Sequence, residues 1–419
     1  MAEWYQDAAW RMLRGIRGKA LLAGYNVSSR FLDPEPREPY VLLGNHAHRR
    51  DAWVLGALLT RTIRYMANLE GTNPVKVVFA DLVGTYGKRK GAPDYSALKR
   101  TLDLGRAGET LGIFPEGDRT WDGRPLPIRS GLGKLLRILG LPVLLARLEG
   151  SYLTGPRWAE SERRGRWTVE FRTLPRDLVQ GEAPEALERT IRSYLSVDDL
   201  INPSLRDVRF ECPAPAAGIG RLLWLCPSCG GEDRIEGIGC RVLCRACGAS
   251  WTVDGNQRLD GGPTVGPAGA GFSDLRDWTD FQRGELARRA AEAAPLGILP
   301  AGSDPDPRRA ALGIPETEGS RRILSSREVE LRRRTDRGAE TFGKGNLELY
   351  RDALIFRPSK SGHPAVFDPA RVLYFVDHFN VYSEFSCGRF RYKLFFRGGN
   401  AYKWIEALEA LRGGGGEPI

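Results

Sequence analysis

Residues 45–51 read Asn-His-Ala-His-Arg-Arg-Asp, and residues 114–119 read Phe-Pro-Glu-Gly-Asp-Arg. The first stretch follows a short apolar run, Val41–Leu43, and precedes apolar positions at helical spacing. This pattern predicts a buried strand, a turn and then a helix. Within one helix, side chains five positions apart point about 140° away from each other. His46 and Asp51 can therefore meet only if His46 lies in the loop and Asp51 in the first turns of the helix.

A histidine oriented by an aspartate is a candidate general base. In the loop geometry, the carboxylate of Asp51 would accept the proton on one imidazole nitrogen of His46 and leave the other nitrogen free to take a proton. No serine or cysteine stands nearby as a nucleophile, so such a base would activate a hydroxyl group of a substrate. A histidine near an aspartate also occurs by chance in many proteins, so the interpretation depends on the rest of the chain.

Two further segments place charged groups where α/β folds assemble their sites. Leu111–Phe114 reads as a buried strand that Pro115 ends, so Glu116 and Arg119 would lie at a strand-to-loop junction. The planar guanidinium of Arg119 can bind a phosphate. The segment Gly84–Gly91 carries three consecutive cations between glycines, which form either a flexible basic cradle for a phosphate or an ordinary solvated turn.

Four ordered motifs resemble those of the glycerolipid acyltransferase family, of the lysophosphatidate acyltransferase type. The first motif of that family is His-x4-Asp, usually after Asn, and the third reads Phe-Pro-Glu-Gly-x-Arg; both occur here in this order. The basic loop takes the place of the second motif. Leu141–Ala146 resembles the fourth, an apolar strand with a proline that helps line the acyl site, and Ile128–Lys134 resembles the basic segment with glycines that opens a helix. The resemblance covers residues 40–155.

The resemblance implies a fold and a reaction. The fold is an α/β acyltransferase domain with a mixed sheet flanked by helices. The reaction moves a fatty acyl group from acyl-CoA or acyl carrier protein to a lysophospholipid hydroxyl, with lysophosphatidate to phosphatidate as the expected case. His46 would act as the general base and Asp51 would orient it. This chemistry requires no metal.

The same resemblance implies a group of residues that holds the acceptor beside the base. In the second motif the matching basic residue is Arg89, with Lys88 as the alternative. Asp118 departs from the Thr or Ser that is usual in the third motif, and an extra carboxylate there would weaken anion binding unless it faces away. The residues expected to bind the acceptor are Lys88, Arg89, Glu116, Gly117 and Arg119.

Four cysteines predict a metal site. Cys226 and Cys229 form one Cys-x2-Cys pair, Cys244 and Cys247 form a second, and fourteen residues separate the pairs. A glycine follows each pair and lets the backbone turn its amides toward sulfur. This spacing is typical of a zinc ribbon with four thiolate ligands. We expect one structural Zn²⁺ there, and buried free thiols are the alternative.

The composition limits the class of protein. The 419 residues are 42% hydrophobic and 27% charged, ordinary values for soluble globular domains, and this length predicts several domains. The net charge of +10 favours an acidic partner, either anionic lipid or nucleic acid. The paired cysteines favour a reducing compartment. The sequence has no run of eighteen apolar residues and no secretory-type start, so we expect neither a membrane-spanning helix nor a signal peptide.

The chain divides by composition into five parts. Residues 1–30 are predicted to form a basic amphipathic helix that either lies in a membrane interface or packs on its own domain. The acyltransferase domain is assigned to residues 31–205 and the zinc ribbon to 222–254. Residues 255–322, rich in Gly, Pro, Ala, Arg and Asp, predict a linker with one helix. Residues 323–412 alternate as antiparallel strands followed by one helix, which resembles the pleckstrin-homology-like (PH-like) fold.

Location and partners follow from the same features. We expect the chain at the cytoplasmic face of a membrane, where it meets its lysophospholipid acceptor and thioester donor, with no nucleic-acid partner. A nucleic-acid-binding protein built on the ribbon is an alternative, although nearby acidic residues balance Arg241 and Arg245. An inactive membrane scaffold with an acyltransferase fold is another alternative, against which the intact motif residues argue.

Overall fold

The computed structural model describes residues 4–68, 78, 80–88, 94–263, 271–297, 322–335, 338–360, 364–378, 382–397 and 399–412. Contacts between residues divide the chain into two units. The first unit comprises Met1–Pro215 and Val253–Arg258, and the second comprises Ala216–Thr252 and Leu259–Ile419.

The first unit is built on a seven-stranded sheet with the order β1-β7-β6-β2-β5-β3-β4. Its paired strands run parallel, except that β6 and β7 are antiparallel. The sequence-based prediction of a mixed α/β sheet is therefore confirmed. The strands are β1 (Val27–Phe31), β2 (Val41–Gly44), β3 (Ile63–Asn68), β4 (Tyr86–Lys88), β5 (Thr110–Ile113), β6 (Val143–Glu149) and β7 (Trp167–Leu174).

Helices flank this sheet in the first unit. A turn of π-helix, Arg14–Gly18, joins the first two helices into one helical segment. The helices are α1 (Trp4–Leu13), α2 (Lys19–Gly24), α3 (Asp51–Leu58), α4 (Tyr95–Arg106), α5 (Leu132–Leu139), α6 (Ser151–Thr154), α7 (Arg176–Gly181) and α8 (Pro184–Leu195). Among the described residues, no helix is long and apolar enough to cross a membrane.

The central position of strand β2, with a core on each face of the sheet, explains why its sequence is uniformly apolar. Val41 and Leu43 belong to the hydrophobic core on one face of the sheet, and Leu42 belongs to the core on the other face. Parallel strands covered on both faces read as continuous apolar runs. Strand β2 also pairs in parallel with β5, with Leu43 opposite Ile113. The two charged stretches that follow these strands therefore meet at the same edge of the sheet.

The amino-terminal helical segment divides its apolar residues between the core and the surface. The Trp10 ring packs against Trp53 of α3, with ring centroids 5.5 Å apart. It lies so close to Gly56 that a Cβ there would stand 2.1 Å from the indole. Met12 and Ile16, in contrast, are 59% and 68% exposed. The segment thus packs on its own unit and also presents an apolar surface to solvent.

The described part of the second unit forms two antiparallel sheets. The smaller has the order β11-β10-β9-β8, and the larger has the order β15-β14-β13-β12-β18-β17-β16. The strands of the smaller sheet are β8 (Ile235–Ile238), β9 (Arg241–Cys244), β10 (Ser250–Val253) and β11 (Leu259–Asp260). Those of the larger are β12 (Leu324–Thr335), β13 (Gly338–Leu349), β14 (Leu354–Pro358), β15 (Ala365–Phe367), β16 (Val372–His378), β17 (Tyr382–Cys387) and β18 (Phe390–Phe396).

Among the described residues, two α-helices complete the second unit, α9 (Leu275–Glu292) and α10 (Tyr402–Leu411). The antiparallel β domain with a carboxyl-terminal helix agrees with the prediction, whereas its PH-like character stays a prediction. Leu286 of α9 shares one hydrophobic core with Trp224 of the ribbon segment and with Leu324 of β12. The predicted linker therefore contains a packed helix. Residues 264–270 and 298–321 of that linker lie outside the described residues.

Candidate active site

The chain leaves strand β2 at Asn45 in a fixed direction. The buried Asn45 amide donates to the Leu148 carbonyl at 2.9 Å and accepts from the Leu148 amide at 2.8 Å. These two bonds tie the end of β2 to the neighbouring strand β6. His46 then lies in the loop, and Asp51 is the first residue of helix α3. The structure thus has the loop-to-helix geometry that the spacing of the two residues predicts.

The side chains of His46 and Asp51 form a hydrogen-bonded pair. Nδ1 of His46 lies 2.7 Å from Oδ2 of Asp51, whose side chain is fully buried. The same oxygen accepts from the amides of Ala47 and His48, each at 2.9 Å. Phe114 stacks on the imidazole with ring centroids 4.1 Å apart. The Nε2 atom of His46 makes no hydrogen bond within the part of the chain that the structure describes, so it can serve as a base.

Glu116 lies beneath the backbone of this loop. One of its carboxylate oxygens accepts from the His46 amide at 2.9 Å, and the other accepts from the Leu126 amide at 3.0 Å. Burial raises the pKa of Glu116 to about 8, while these two amides oppose the shift. The resemblance implies that Glu116 binds the acceptor, whereas both of its oxygens hold the chain's own backbone here. Binding of the acceptor by Glu116 stays a prediction.

Asp118 faces a cation on its own domain. Its Oδ2 lies 3.0 Å from Nη1 of Arg157, and its Oδ1 accepts from the Arg119 amide at 2.8 Å. Arg157 also donates to the Arg119 carbonyl at 3.1 Å and stacks over the ring of Trp121. The carboxylate that departs from the family motif is therefore neutralised by Arg157. Sequence reasoning missed Arg157, because it comes from a separate loop that carries no recognisable motif.

Arg119 has a guanidinium that no described side chain pairs with. Burial lowers its pKa to about 10, and the charge of Arg157 lowers it further, while Asp118 opposes the shift. A half-buried cation without a partner is a ready site for an anion.

Other cations lie around the same turn. Burial lowers the pKa of Lys88, at the end of β4, and the charge of Arg129 adds to this effect. Gly117 has a φ of +76°, and a Cβ there would stand 3.0 Å from the Arg129 side chain. Lys88 and Arg129 thus lie near the turn that carries Gly117 and Arg119, and binding of the acceptor by Lys88, Gly117 and Arg119 stays a prediction. Arg89 lies outside the described residues.

The ring of His48 points into the protein and does not share the position of the candidate base, His46. The His48 ring is 1% exposed and lies edge-on to Trp167 and to Tyr25. Its Nδ1 accepts from the Arg50 amide at 3.2 Å, and its Nε2 lies 3.5 Å from Glu162. Both ring nitrogens face the protein itself, so His48 does not share the arrangement of His46.

The second unit brings together all four cysteines of the two Cys-x2-Cys pairs. Cys226 Sγ lies 3.8 Å from Cys247 Sγ, Cys229 Sγ lies 3.8 Å from Cys244 Sγ, and all four sulfurs lie within 4.8 Å of one another. Four thiolates at about 2.3 Å from a tetrahedral zinc are separated by about 3.8 Å. The amides of Gly231 and Ala249 also approach two of the sulfurs. The cluster can therefore hold a metal ion.

Parts of this chain are similar to known proteins. No curated protein matches the chain in sequence. Among solved structures, the 1-acyl-sn-glycerophosphate (LPA) acyltransferase PlsC from Thermotoga maritima is similar at 16% identity, with a TM-score of 0.38, over 45% of this chain and 78% of that chain. Residues 26–145 match the family model described as Acyltransferase, a range that includes both charged stretches. The resemblance of the segment that carries His46 and Asp51 to the acyltransferase family is therefore confirmed.

Proposed function

We propose that this protein is a membrane-surface acyltransferase. It moves a fatty acyl group from an acyl thioester, either acyl-CoA or acyl carrier protein, to the hydroxyl of a lysophospholipid, with lysophosphatidate as the expected acceptor. One observation carries the proposal: the bond between His46 Nδ1 and Asp51 Oδ2, 2.7 Å long, forms in the segment that matches the acyltransferase family.

The proposed reaction uses His46 as a general base. Nε2 of His46 takes the proton of the acceptor hydroxyl as that oxygen attacks the thioester carbonyl. The tetrahedral intermediate then breaks its carbon–sulfur bond, and the thiol leaves with a proton from the imidazolium. Asp51 holds the imidazole in one tautomer and stabilises its cation. The unpaired guanidinium of Arg119, with Lys88 and Arg129 near the same turn, binds the acceptor phosphate.

Mass spectrometry of the lipid products tests this function. The purified chain is incubated with a panel of lysophospholipids and with acyl-CoA or acyl carrier protein thioesters. We expect a diacyl product with at least one acceptor that carries a phosphate. No product with any pair, from a chain that binds its metal and is folded, would exclude the proposed activity and favour the inactive scaffold.

Replacing Arg119 with alanine should mainly weaken binding of the acceptor. Loss of a charge-assisted contact to phosphate costs roughly 1.5–3 kcal/mol, or about a 10- to 150-fold higher KM for the acceptor. Steady-state kinetics with each substrate varied in turn measure this. Arg137, which is exposed on α5, provides the control, and Arg137→Ala should change neither KM. A rise confined to the KM of the donor would assign the phosphate contact to another residue.

Contact with a membrane is proposed for the amino-terminal helical segment. The exposed Met12 and Ile16 lie beside the exposed cations Arg11, Arg17 and Lys19, a combination that suits an interface containing anionic lipid. Ile16→Glu should weaken sedimentation with anionic vesicles by about tenfold or more, since it removes apolar burial and adds repulsion. The matched change Ile201→Glu, at a residue 64% exposed in the same unit, should have no effect. Equal losses in both variants would contradict this surface.

The metal that we propose for the four-cysteine cluster is Zn²⁺. Four thiolates with sulfur spacings of 3.8 Å across the cluster fit tetrahedral zinc. All four coordination positions are supplied by protein, which is the pattern of structural rather than catalytic zinc. Zinc would therefore stabilise the second unit and take no part in acyl transfer.

A further inference from the structure

A single carboxylate, Glu162, holds the residues between His46 and Asp51 from the outside. Its Oε1 accepts from Nε of Arg49 at 3.0 Å and from Nη2 of Arg49 at 2.6 Å. The same oxygen lies 3.5 Å from Nε2 of His48. Its Oε2 accepts from the Tyr25 hydroxyl at 2.5 Å.

The ring of His48 can face Glu162 in only one way. Nδ1 of His48 accepts from the Arg50 amide, so the proton of the neutral ring resides on Nε2, which points to Glu162. The edges and faces of Trp167 and Tyr25 confine the ring. A Cβ at Gly155 would stand 2.3 Å from Nε2. The side chain of His48 therefore fixes its own backbone relative to Glu162.

Electrostatic attraction reinforces the contact between His48 and Glu162. The approach of His48 Nε2 to 3.5 Å is the main cause that lowers the pKa of Glu162 to about 2, and the hydrogen bond from Tyr25 and the charge of Arg49 add to it. The cations that face this carboxylate are Arg49 and, at 3.9 Å, Arg50. Glu162 is thus an anion at neutral pH.

The backbone that Glu162 holds in this way is the backbone that binds Asp51. The amides of Ala47 and His48 donate to Asp51 Oδ2, the same oxygen that orients His46. If residues 47–49 shift, Asp51 loses two donors and its carboxylate can rotate away from the imidazole. Within the part of the chain that the structure describes, Glu162 makes no hydrogen bond or ion pair with His46, so any effect on the base passes through this loop.

We propose that Glu162 is a positioning residue for the general base. By holding His48 and Arg49, it keeps the amides of Ala47 and His48 on Asp51, and thereby keeps the His46 imidazole aligned. The kinetic part of this inference rests on the proposed acyl transfer, whereas the structural part concerns only the His46–Asp51 bond.

Kinetics of Glu162→Ala provide the first test. Misalignment of a catalytic group lowers rates by up to about 100-fold, so we expect kcat to fall by about 10- to 100-fold. Because the contacts of Glu162 are with Tyr25, His48, Arg49 and Arg50 and include none of the residues assigned to the acceptor, the KM values of donor and acceptor should stay within about twofold of the wild type. Glu182, exposed on another loop of the same unit, provides the control Glu182→Ala. An unchanged kcat, or a rise in KM alone, would overturn the proposal.

Nuclear magnetic resonance provides a test that does not depend on activity. The chain has four histidines, so selective ¹⁵N-histidine labelling gives a simple spectrum, and His46→Gln assigns the Nδ1 proton that Asp51 accepts. In Glu162→Ala this proton should exchange with water about tenfold faster, because the loop opens more often. Exchange as slow as in the wild type would overturn the proposal even if no acyl transfer were found.

Two milder variants keep the inference testable if Glu162→Ala fails to fold. Arg49→Gln and Tyr25→Phe each remove one contact to Glu162 and leave the carboxylate in place. Each should speed exchange of the His46 proton and lower kcat, by less than Glu162→Ala would. Wild-type exchange and wild-type kcat in both variants would show that the loop needs no support from Glu162.

Discussion

Replacing His46 with alanine should lower kcat by about 10²–10⁴-fold, the range typical of lost general-base assistance. The imidazole packs on Phe114 and is 22% exposed, so its removal leaves no large cavity in the core. We therefore expect the far-ultraviolet circular dichroism spectrum to match the wild type and Tm to change little. Single-turnover rates of acyl transfer, followed by mass spectrometry, measure the loss.

His48→Ala is the matched control, because it removes the other histidine of the same loop. The His48 ring is buried and contacts Trp167, Tyr25 and Glu162, so this change should lower Tm more than His46→Ala does. The base itself stays in place, and kcat should fall by a smaller factor, through loosening of the loop. An equal loss of activity in both folded variants would show that His46 is not the base.

The sequence predicts the pairing of His46 with Asp51 because the relevant geometry is local. A separation of five residues excludes a contact within one helix, so only a loop followed by a helix allows the pair to meet. The uniformly apolar run Val41–Leu43 and the run before Pro115 likewise indicate strands buried on both faces. Local patterns of this kind are sufficient to place both charged stretches at one edge of the sheet.

The sequence does not reveal the residues that support the pair from elsewhere in the chain. Asn45 bonds to Leu148 across 103 positions, and Arg49 bonds to Glu162 across 113 positions. Such contacts leave no periodicity or short motif. The same limit applies to Asp118, whose carboxylate turns toward Arg157. Asp118 pairs with Arg157 because two separate loops pack together. As a result, the carboxylate does not pair with the Arg119 guanidinium, and the sequence alone cannot show this.

The helix Leu275–Glu292 shows a second limit. Its neighbours in sequence are rich in Gly and Pro, which predicts a linker, and its own pattern predicts a helix. Composition cannot indicate that its apolar residues complete a core formed by strands far along the chain. In the structure Leu286 packs with Trp224 and Leu324, so the ribbon, the helix and the larger sheet share one core.

Because the ribbon, the helix α9 and the larger sheet share one core, we expect loss of zinc to loosen the whole second unit. Two glycines separate Glu232 and Asp233 from the first Cys-x2-Cys pair. Arg289 of α9 pairs with Glu232, and the fully buried Lys403 of α10 pairs with Asp233. Lys403 also donates to the Ser325 carbonyl at 2.7 Å. The segment next to the metal site is thus joined through ion pairs to both helices, and Lys403 extends this link to strand β12 through a hydrogen bond.

Elemental analysis should find one zinc per chain, and removal of the zinc should produce a large change. Structural zinc stabilises small cysteine sites by an apparent 10–16 kcal/mol or so in peptides, comparable to the total stability of a domain. After chelation, amide hydrogen exchange should accelerate in β8 to β11 and also in β12 to β18. Strands β2, β5 and β6 of the first unit should exchange as before, because none of them depends on the metal.

Two cysteine variants separate metal binding from general damage to the ribbon. Cys229→Ser removes one ligand and should reproduce the effect of chelation, whereas Cys240→Ser, at an exposed cysteine outside the cluster, should keep its zinc.

Lys403→Met tests the coupling between the ribbon and the larger sheet, because it removes the buried partner of Asp233 and leaves all four thiolates. In that variant chelation should accelerate exchange in the ribbon more than in the larger sheet. A chain that contains no zinc, or a first unit that loses acyl transfer when zinc alone is removed, would refute a purely structural metal.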